Sequence, residues 1–346
     1  MNDAAGNRIN WGVLGSAWIN NAAIPGLLGA GNGRLLAVSS RRPQVAESDR
    51  QRWGAERAYS SYQALLDDRE IDAVYVPLPN HLHAKWVVMA LQAGKHVLCE
   101  KPLALSLVEV DEIAKAAERS GKLVMEAFMY RFAPRWRRAM DLIGSGAIGE
   151  ARIARITLGF KQFYDDYNIR FDPEAGGGAL WDMGCYAVNM SRLIFAVEPR
   201  RVFATRWARP GAKVDTTTSG VLDFEGGRSS IFSVSFDFIN PLAQVEIVGT
   251  DGWISMQGTG MRGEPFTRLL RHRFGEEVFL DGVEPVIESF AAADNFAAEF
   301  HELGRAIIDG DQPHYGLADA RENTRVILAL ADAATTGAGV EIGQSS

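Results

Sequence analysis

Strand-like and helix-like segments alternate over roughly the first 125 residues, and this rhythm points to a parallel sheet with crossover helices. Ile9 to Gly15 (INWGVLG) reads as a strand running into a glycine turn, followed by a helix from about Ile19 to Gly29. Further strands are expected at 34–40 (RLLAVSS), 73–77 (AVYVP), 96–99 and 123–127. Helices are expected at 61–68, 83–93 and 106–120. Ser106 stands three residues before Glu109, a capping-box spacing, and Gly94 follows the previous helix as a stop signal.

The rhythm then changes. Segments 151–160, 201–206, 220–224, 229–238, 243–248 and 252–256 are strand-like, and Glu225-Gly226-Gly227 and Thr250-Asp251-Gly252 join some of them as hairpins. Helix-like stretches flank them at 180–195, 295–309 and 317–336. The expected fold class is α/β. Residues 1–127 form a doubly wound parallel sheet, and residues 128–346 an α+β domain on a predominantly antiparallel, open-faced sheet. A chain of 346 residues fits two domains.

Bulk properties narrow the partners. A formal charge of −7 argues against a nucleic-acid partner, which calls for a basic face. No segment reaches the ~18 consecutive apolar residues of a membrane span. The opening MNDAAGNRIN lacks an apolar signal core. Cys99 and Cys185 are the only cysteines, so a reducing, cytoplasmic setting is expected.

Gly15-Ser16-Ala17-Trp18-Ile19-Asn20 occupies the place of a G-x-G-x-x-G dinucleotide fingerprint, with only the first glycine intact. Alanine at the second position is small enough for backbone to approach a pyrophosphate on the helix N-terminus. An ordinary tight turn is the alternative. At the end of the second strand an acid for the ribose hydroxyls is missing, and Ser40, Arg41 and Arg42 stand there instead. Guanidiniums suit a 2′-phosphate, so NADP(H) is the expected cofactor; a solvated turn is the alternative.

Cys99-Glu100-Lys101-Pro102 ends the fourth strand and delivers a lysine to the sheet edge where open α/β sheets bind ligands. Pro77, Asn80 and His83 follow the third strand at that edge. Downstream, Asp182 and Tyr186 are four apart, so a helix places them on one face, extended by Asn189. The preceding Gly176-Gly177-Gly178 is expected to let backbone come close to a ligand, and Arg170 to reach a ligand hydroxyl or carboxylate. A tyrosine whose reference pKa is about 10 needs help to move a proton at neutral pH, and a lysine ammonium supplies it. Each residue also fits a plainer role: a packing tyrosine, a solvated lysine, a capping aspartate, a surface arginine.

With these residues in view, the chain resembles the glucose–fructose oxidoreductase / inositol dehydrogenase / MocA (Gfo/Idh/MocA) family. Within it the resemblance is to the branch of NADP-dependent D-xylose dehydrogenases and dimeric dihydrodiol dehydrogenases. The matching stretches are 75–83 (YVPLPNHLH), 93–103 (AGKHVLCEKPL), 126–132 (EAFMYRF) and 176–186. The resemblance implies a Rossmann domain, a sheet domain whose open face often mediates oligomerisation, and a catalytic Lys101. It implies a homodimer or homotetramer and a sugar-like substrate.

The expected catalytic residues are Lys101, Tyr186 and Asp182, and the substrate is expected to meet Lys101, Arg170, Asp182 and Tyr186. The cofactor is expected against Gly15, Ser16, Ala17, Trp18, Ile19, Ser40, Arg41 and Arg42 on one side. Pro77, Asn80, His83, Glu100 and Lys101 complete its wall. No metal is implied. Three departures stand out: Trp18 where a smaller or basic residue is common, Asn20 where Gly or Ala is usual, and Ala133 where this branch often has histidine.

The expected activity is hydride transfer between NADP(H) and a hydroxyl- or carbonyl-bearing carbon of a cyclic sugar, polyol or dihydrodiol. A redox-neutral sugar-modifying enzyme, glycosidase-like or epimerising, with a tightly held nicotinamide is the rival within the family. A non-catalytic NADP-binding sensor is the rival outside it.

Overall fold

The computed structural model describes residues 8–162, 168–238, 242–258, 266–273 and 285–343. The chain forms two compact units: Met1–Met129 with Asp294–Arg321, and Tyr130–Ala293 with Glu322–Ser346.

In the first unit β1 (Ile9–Leu14), α1 (Asn20–Gly29), β2 (Gly33–Ser39), α2 (Pro43–Trp53), β3 (Arg57–Tyr59), α3 (Tyr62–Leu66) and β4 (Ala73–Val76) follow one another. Then come α4 (Asn80–Gln92), β5 (His96–Glu100), α5 (Leu107–Ser120) and β6 (Val124–Ala127). The strands form one parallel sheet in the order β3-β2-β1-β4-β5-β6, with the order reversing beside β1. The Ser106 hydroxyl accepts from Glu109 N, and the Glu109 carboxylate accepts from Leu105 N at 2.8 Å, so the capping signal operates. Neither α2 nor β3 was expected from the sequence. In α2 only Ala46 is buried, so it carries no apolar period.

In the second unit α6 (Pro134–Gly144), β7 (Ala151–Gly159), a π-helical turn (Leu180–Gly184), α7 (Cys185–Phe195), β8 (Arg201–Trp207), β9 (Thr217–Phe224) and β10 (Arg228–Ser235) come first. β11 (Leu242–Gly249), β12 (Gly252–Gln257), β13 (Phe266–Arg273) and β14 (Val286–Ala291) follow. The chain ends with α8 (Asn295–Asp309), α9 (Leu317–Thr336) and β15 (Val340–Glu341). The nine-stranded sheet runs β14-β13-β12-β11-β7-β10-β9-β8-β15. Its β7–β10 pair is parallel and its other pairs are antiparallel.

The sequence reading places one boundary after residue 127, two residues from where the first unit breaks. It does not anticipate that 294–321 returns to the first unit, carrying α8. α8 lies against α1, where a Cβ on Gly26 would come within 2.5 Å of the Phe296 Cβ, so glycine lets the two helices approach closely. The Phe300 ring meets Trp11 edge-on at 5.0 Å and Tyr75 at 5.3 Å.

In β10 and just beyond, Phe232, Val234 and Phe236 are buried, while Ile231 is exposed. The outer face there carries a hydroxyl ladder, with Ser219 and Ser233 2.8 Å apart and Thr217 and Ser235 2.7 Å apart. Phe203, Trp207 and Ile231 are the large apolar side chains exposed on this side of β8 and β10 among the described residues. No helix among the described residues is long and apolar enough to cross a membrane.

Candidate active site

The turn after β1 is built around Gly15, whose φ of +110° favours glycine, and a Cβ there would lie 2.8 Å from Leu78 Cδ2. Gly15 N donates to the Ser39 carbonyl at 3.0 Å. Asn20, the unusual third fingerprint residue, is buried and donates from Nδ2 to the Gly15 carbonyl at 3.0 Å. It clamps the turn from inside, which explains why a bulkier residue is accommodated there. The Ser16 hydroxyl donates to Asp49 Oδ2, and Trp18 is 72% exposed. Ile19 gives α1 no side-chain cap; the first-turn amides of Asn20, Asn21 and Ala22 donate instead to the Ala17, Trp18 and Ile19 carbonyls.

At the end of β2 the backbone folds on itself. Ser40 N donates to the Tyr59 carbonyl at 3.1 Å, and Arg42 N donates to Ser40 Oγ at 3.3 Å. Ser40 is buried in this turn, whereas Arg41 and Arg42 are exposed. Two exposed guanidiniums at the end of β2 fit a dinucleotide with an added phosphate.

The exit of β5 is held from three sides. Tyr75 donates its hydroxyl to Glu100 Oε1 at 2.7 Å. Leu103 N donates to the buried Glu126 Oε1 at 2.9 Å. His83 is fully buried, with Nδ1 2.7 Å from the Pro102 carbonyl and Nε2 2.7 Å from the Leu78 carbonyl. Burial holds the His83 pKa below its ordinary value, and the two carbonyls work against that. The Lys101–Pro102 bond is cis, and Lys101 is half-buried.

This geometry moves His83 out of the cofactor wall, because both ring nitrogens are engaged with main chain and none of the ring is exposed. Its role is to tie the end of β4 to the lysine turn. Pro77 is likewise buried, while Asn80 opens α4 and is half-buried. Tyr75 and Glu126 were missed in the sequence, where they stand in short apolar strands with only their polar tips as a signal.

In the second unit Asp182 lies in the π turn and Tyr186 in the first turn of α7, so four-residue spacing does not place them on one regular helical face. Arg170 Nε donates to Asp182 Oδ2 at 2.9 Å. Half-buried Tyr186 meets the Tyr130 ring edge-on at 6.0 Å, and Tyr130 donates its hydroxyl to the buried Asn189 Oδ1 at 2.6 Å. Asn189 is thus support for Tyr130, not an extension of the ligand face.

The glycine loop also differs from its reading. Gly177 N donates to the Asp172 carbonyl and Gly178 N to the Arg170 carbonyl, both at 2.9 Å. A Cβ on Gly177 would lie 2.6 Å from the Arg170 carbonyl oxygen. These glycines let the loop close on its own backbone. The Asp215 carboxylate then accepts from Leu180 N at 2.8 Å and fixes the start of the π turn.

Comparison with known proteins agrees with this architecture. The sequence model described as "Oxidoreductase family, NAD-binding Rossmann fold" matches residues 9–128, and that of the GFO/IDH/MocA C-terminal domain matches 136–255. A D-xylose 1-dehydrogenase (NADP(+)) of Haloferax volcanii is 35% identical over 96% of this chain and 99% of its own. A trans-1,2-dihydrobenzene-1,2-diol dehydrogenase of Xenopus laevis is 34% identical over 71% of this chain and 74% of its own. The crystal structure of a 3-ketoreductase from Actinomadura kijaniata with NADP and TDP-benzene superposes with a TM-score of 0.86. That match is at 28% identity over 94% of this chain and 98% of the other. Tyr-to-Phe and Lys-to-Ala variants of that ketoreductase also superpose. With a parallel 3-2-1-4-5-6 sheet, a mixed open sheet and both sequence models matched in order, the chain belongs to the Gfo/Idh/MocA family of oxidoreductases.

Proposed function

We propose that the protein is an NADP-dependent dehydrogenase or reductase acting on a hydroxyl- or carbonyl-bearing carbon of a cyclic sugar, polyol or dihydrodiol. The observation that carries this reading is the braced Glu100-Lys101-Pro102 turn at the carboxyl end of a Rossmann sheet. Gly15 to Ile19 would receive the pyrophosphate, and Arg41 and Arg42 the 2′-phosphate. Bound NADP(H) supplies the hydride donor or acceptor.

Tyr186 is the proposed proton carrier. In the oxidative direction its phenolate takes the substrate hydroxyl proton; in the reductive direction the phenol returns it to the carbonyl oxygen. The Lys101 ammonium favours the phenolate and hydrogen-bonds the same oxygen. Asp182 acts through Arg170, orienting a guanidinium toward substrate hydroxyls. The relatives' activities on xylose and on a dihydrodiol, and the lysine and tyrosine variants of the ketoreductase, support this reading. A cytoplasmic homodimer or homotetramer is part of the proposal, with exposed Phe203, Trp207 and Ile231 as candidate contacts.

The test is a screen of pentoses, hexoses, their anhydro and lactone forms and trans-dihydrodiols, following absorbance of reduced cofactor. Stoichiometric conversion of NADP(H) supports a dehydrogenase. Substrate turnover without net cofactor conversion overturns it in favour of a redox-neutral enzyme. Cofactor binding without turnover of any of these would favour a sensor.

A further inference from the structure

α8 carries a carboxyl group that the proposed chemistry does not use. Glu299 is fully buried, and neither of its oxygens has a hydrogen-bond partner. An unpartnered buried carboxyl is costly, and its space is one that an apolar side chain could fill. The adjoining Phe300 packs on Tyr75, whose hydroxyl holds Glu100, the residue before Lys101. Burial raises the Glu299 pKa well above its ordinary value, and the Glu100 charge raises it further.

Among the described residues of α1, β1, β2, β5 and α8, the titratable groups include the following. α1, packed along α8, has no titratable residue. On β2, Arg34 is exposed and paired with Glu56 at 2.8 Å. On β5, His96 is held by Leu123 N, and Cys99 is a buried thiol that its own burial keeps protonated. β5 ends at Glu100, and Lys101 follows it. On α8 itself, Glu302 pairs with Arg305 and His314, and His301 Nδ1 lies 2.9 Å from the Ala30 carbonyl. From β1 comes the Trp11 indole nitrogen, also buried without a partner.

We propose that Glu299 is a positioning residue for the reaction, acting on Lys101 through Glu100. This rests on the reading of Lys101 as the group that assists proton transfer. As a neutral acid, Glu299 leaves a single negative charge, that of Glu100, behind the lysine. Loss of its proton would set a second negative charge, fully buried, against that of Glu100. Glu100 would then move off the Tyr75 hydroxyl or take up a proton, and either change alters the field at Lys101.

The test combines infrared spectroscopy with pH–rate profiles of Glu299→Gln and Lys101→Met. The wild-type protein is expected to show a protonated-carboxyl band at neutral pH that disappears in Glu299→Gln. The alkaline limb of kcat should move upward by about one pH unit in Glu299→Gln, with KM little changed, because the variant has no proton to lose there. Glu299→Met, which also lacks that proton, should show the same displacement and serves if the glutamine variant does not fold. Absence of the band in the wild-type protein overturns the inference. So does an unchanged alkaline limb in a variant of an enzyme that Lys101→Met inactivates. Native turnover in Lys101→Met overturns instead the reading of the site on which the inference rests, while the infrared band still reports the state of Glu299.

Discussion

The turn that carries Lys101 is braced by groups out of contact with water, whereas the Arg170–Asp182 ion pair near Tyr186 in the chain lies at a more open position. His83, Glu126 and Tyr75 are all buried, and between them they reach Leu78, Pro102, Leu103 and Glu100. Arg170, which holds Asp182, has a side chain 36% exposed. Buried hydrogen bonds resist salt and are expensive to break, while part-exposed ion pairs are screened and contribute little. The lysine half of the proposed site is thus held by buried groups, and the tyrosine half includes an ion pair that water and salt can reach.

The largest expected effect tests whether the two halves serve one proton transfer. Lys101→Met keeps much of the side chain's bulk and removes its charge, and should cost about 3 kcal/mol or more in the transition state, on the order of a hundredfold in kcat. Tyr186→Phe should be similarly damaging. The double variant should be little worse than either single one, because residues acting as a unit are not additive. Fully multiplicative losses in kcat would show two independent contributions and break the comparison at its root.

Next comes the brace itself. His83→Ala removes the ring whose nitrogens lie 2.7 Å from the buried Pro102 and Leu78 carbonyls, and should lower stability by about 2 kcal/mol. kcat should fall with it, because the lysine turn loses its tie to β4. Denaturant unfolding combined with steady-state kinetics checks this. A variant of native stability and native kcat would show that His83 braces nothing.

Replacing Arg41 and Arg42 together by alanine tests a site in the first unit that resembles the second in its exposure. NADP binding should weaken by about 2 kcal/mol, roughly thirtyfold, with NAD binding little changed. Isothermal titration with each cofactor decides it, and equal weakening of both would remove the 2′-phosphate from the argument.

These contrasts also separate what the sequence made legible from what it did not. The strand–helix rhythm of the first unit, the ends of α8 and α9, and the Glu-Lys-Pro turn all rest on local signals: periodicity, caps and a proline. α2 and β3 escaped notice because one is polar almost throughout and the other is three residues long. The return of 294–321 to the first unit escaped because the apolar face of α8 looks like that of any amphipathic helix, and only tertiary contact reveals that Phe296 meets Gly26 and Phe300 meets Trp11. At the site, the motif at 80–83 located His83 but not the direction of its ring. The glycine run at 176–178 announced close approach without naming its partner, which is the chain's own backbone. The spacing of Asp182 and Tyr186 assumed α geometry where the structure has a π turn, and the partner of Asp182 lay twelve residues upstream, beyond any helical period.

The smallest expected effect belongs to that ion pair, and it discriminates between two roles for Asp182. If the carboxylate took part in the chemistry, Asp182→Asn would collapse kcat. Its oxygen instead accepts from Arg170 Nε at 2.9 Å, in a pair whose aspartate side chain is 15% exposed and whose arginine is 36% exposed. An ion pair so placed contributes about 1 kcal/mol, so Asp182→Asn should raise KM roughly fivefold through a less ordered Arg170 and leave kcat nearly as it was. Added salt should raise the wild-type KM in the same direction by screening the pair, and should affect the variant less. Salt should not reproduce the loss seen in His83→Ala, because no mobile ion reaches a fully buried imidazole. A kcat collapse in Asp182→Asn at unchanged KM would place the carboxylate on the reacting atoms and make the tyrosine half as rigidly committed as the lysine half.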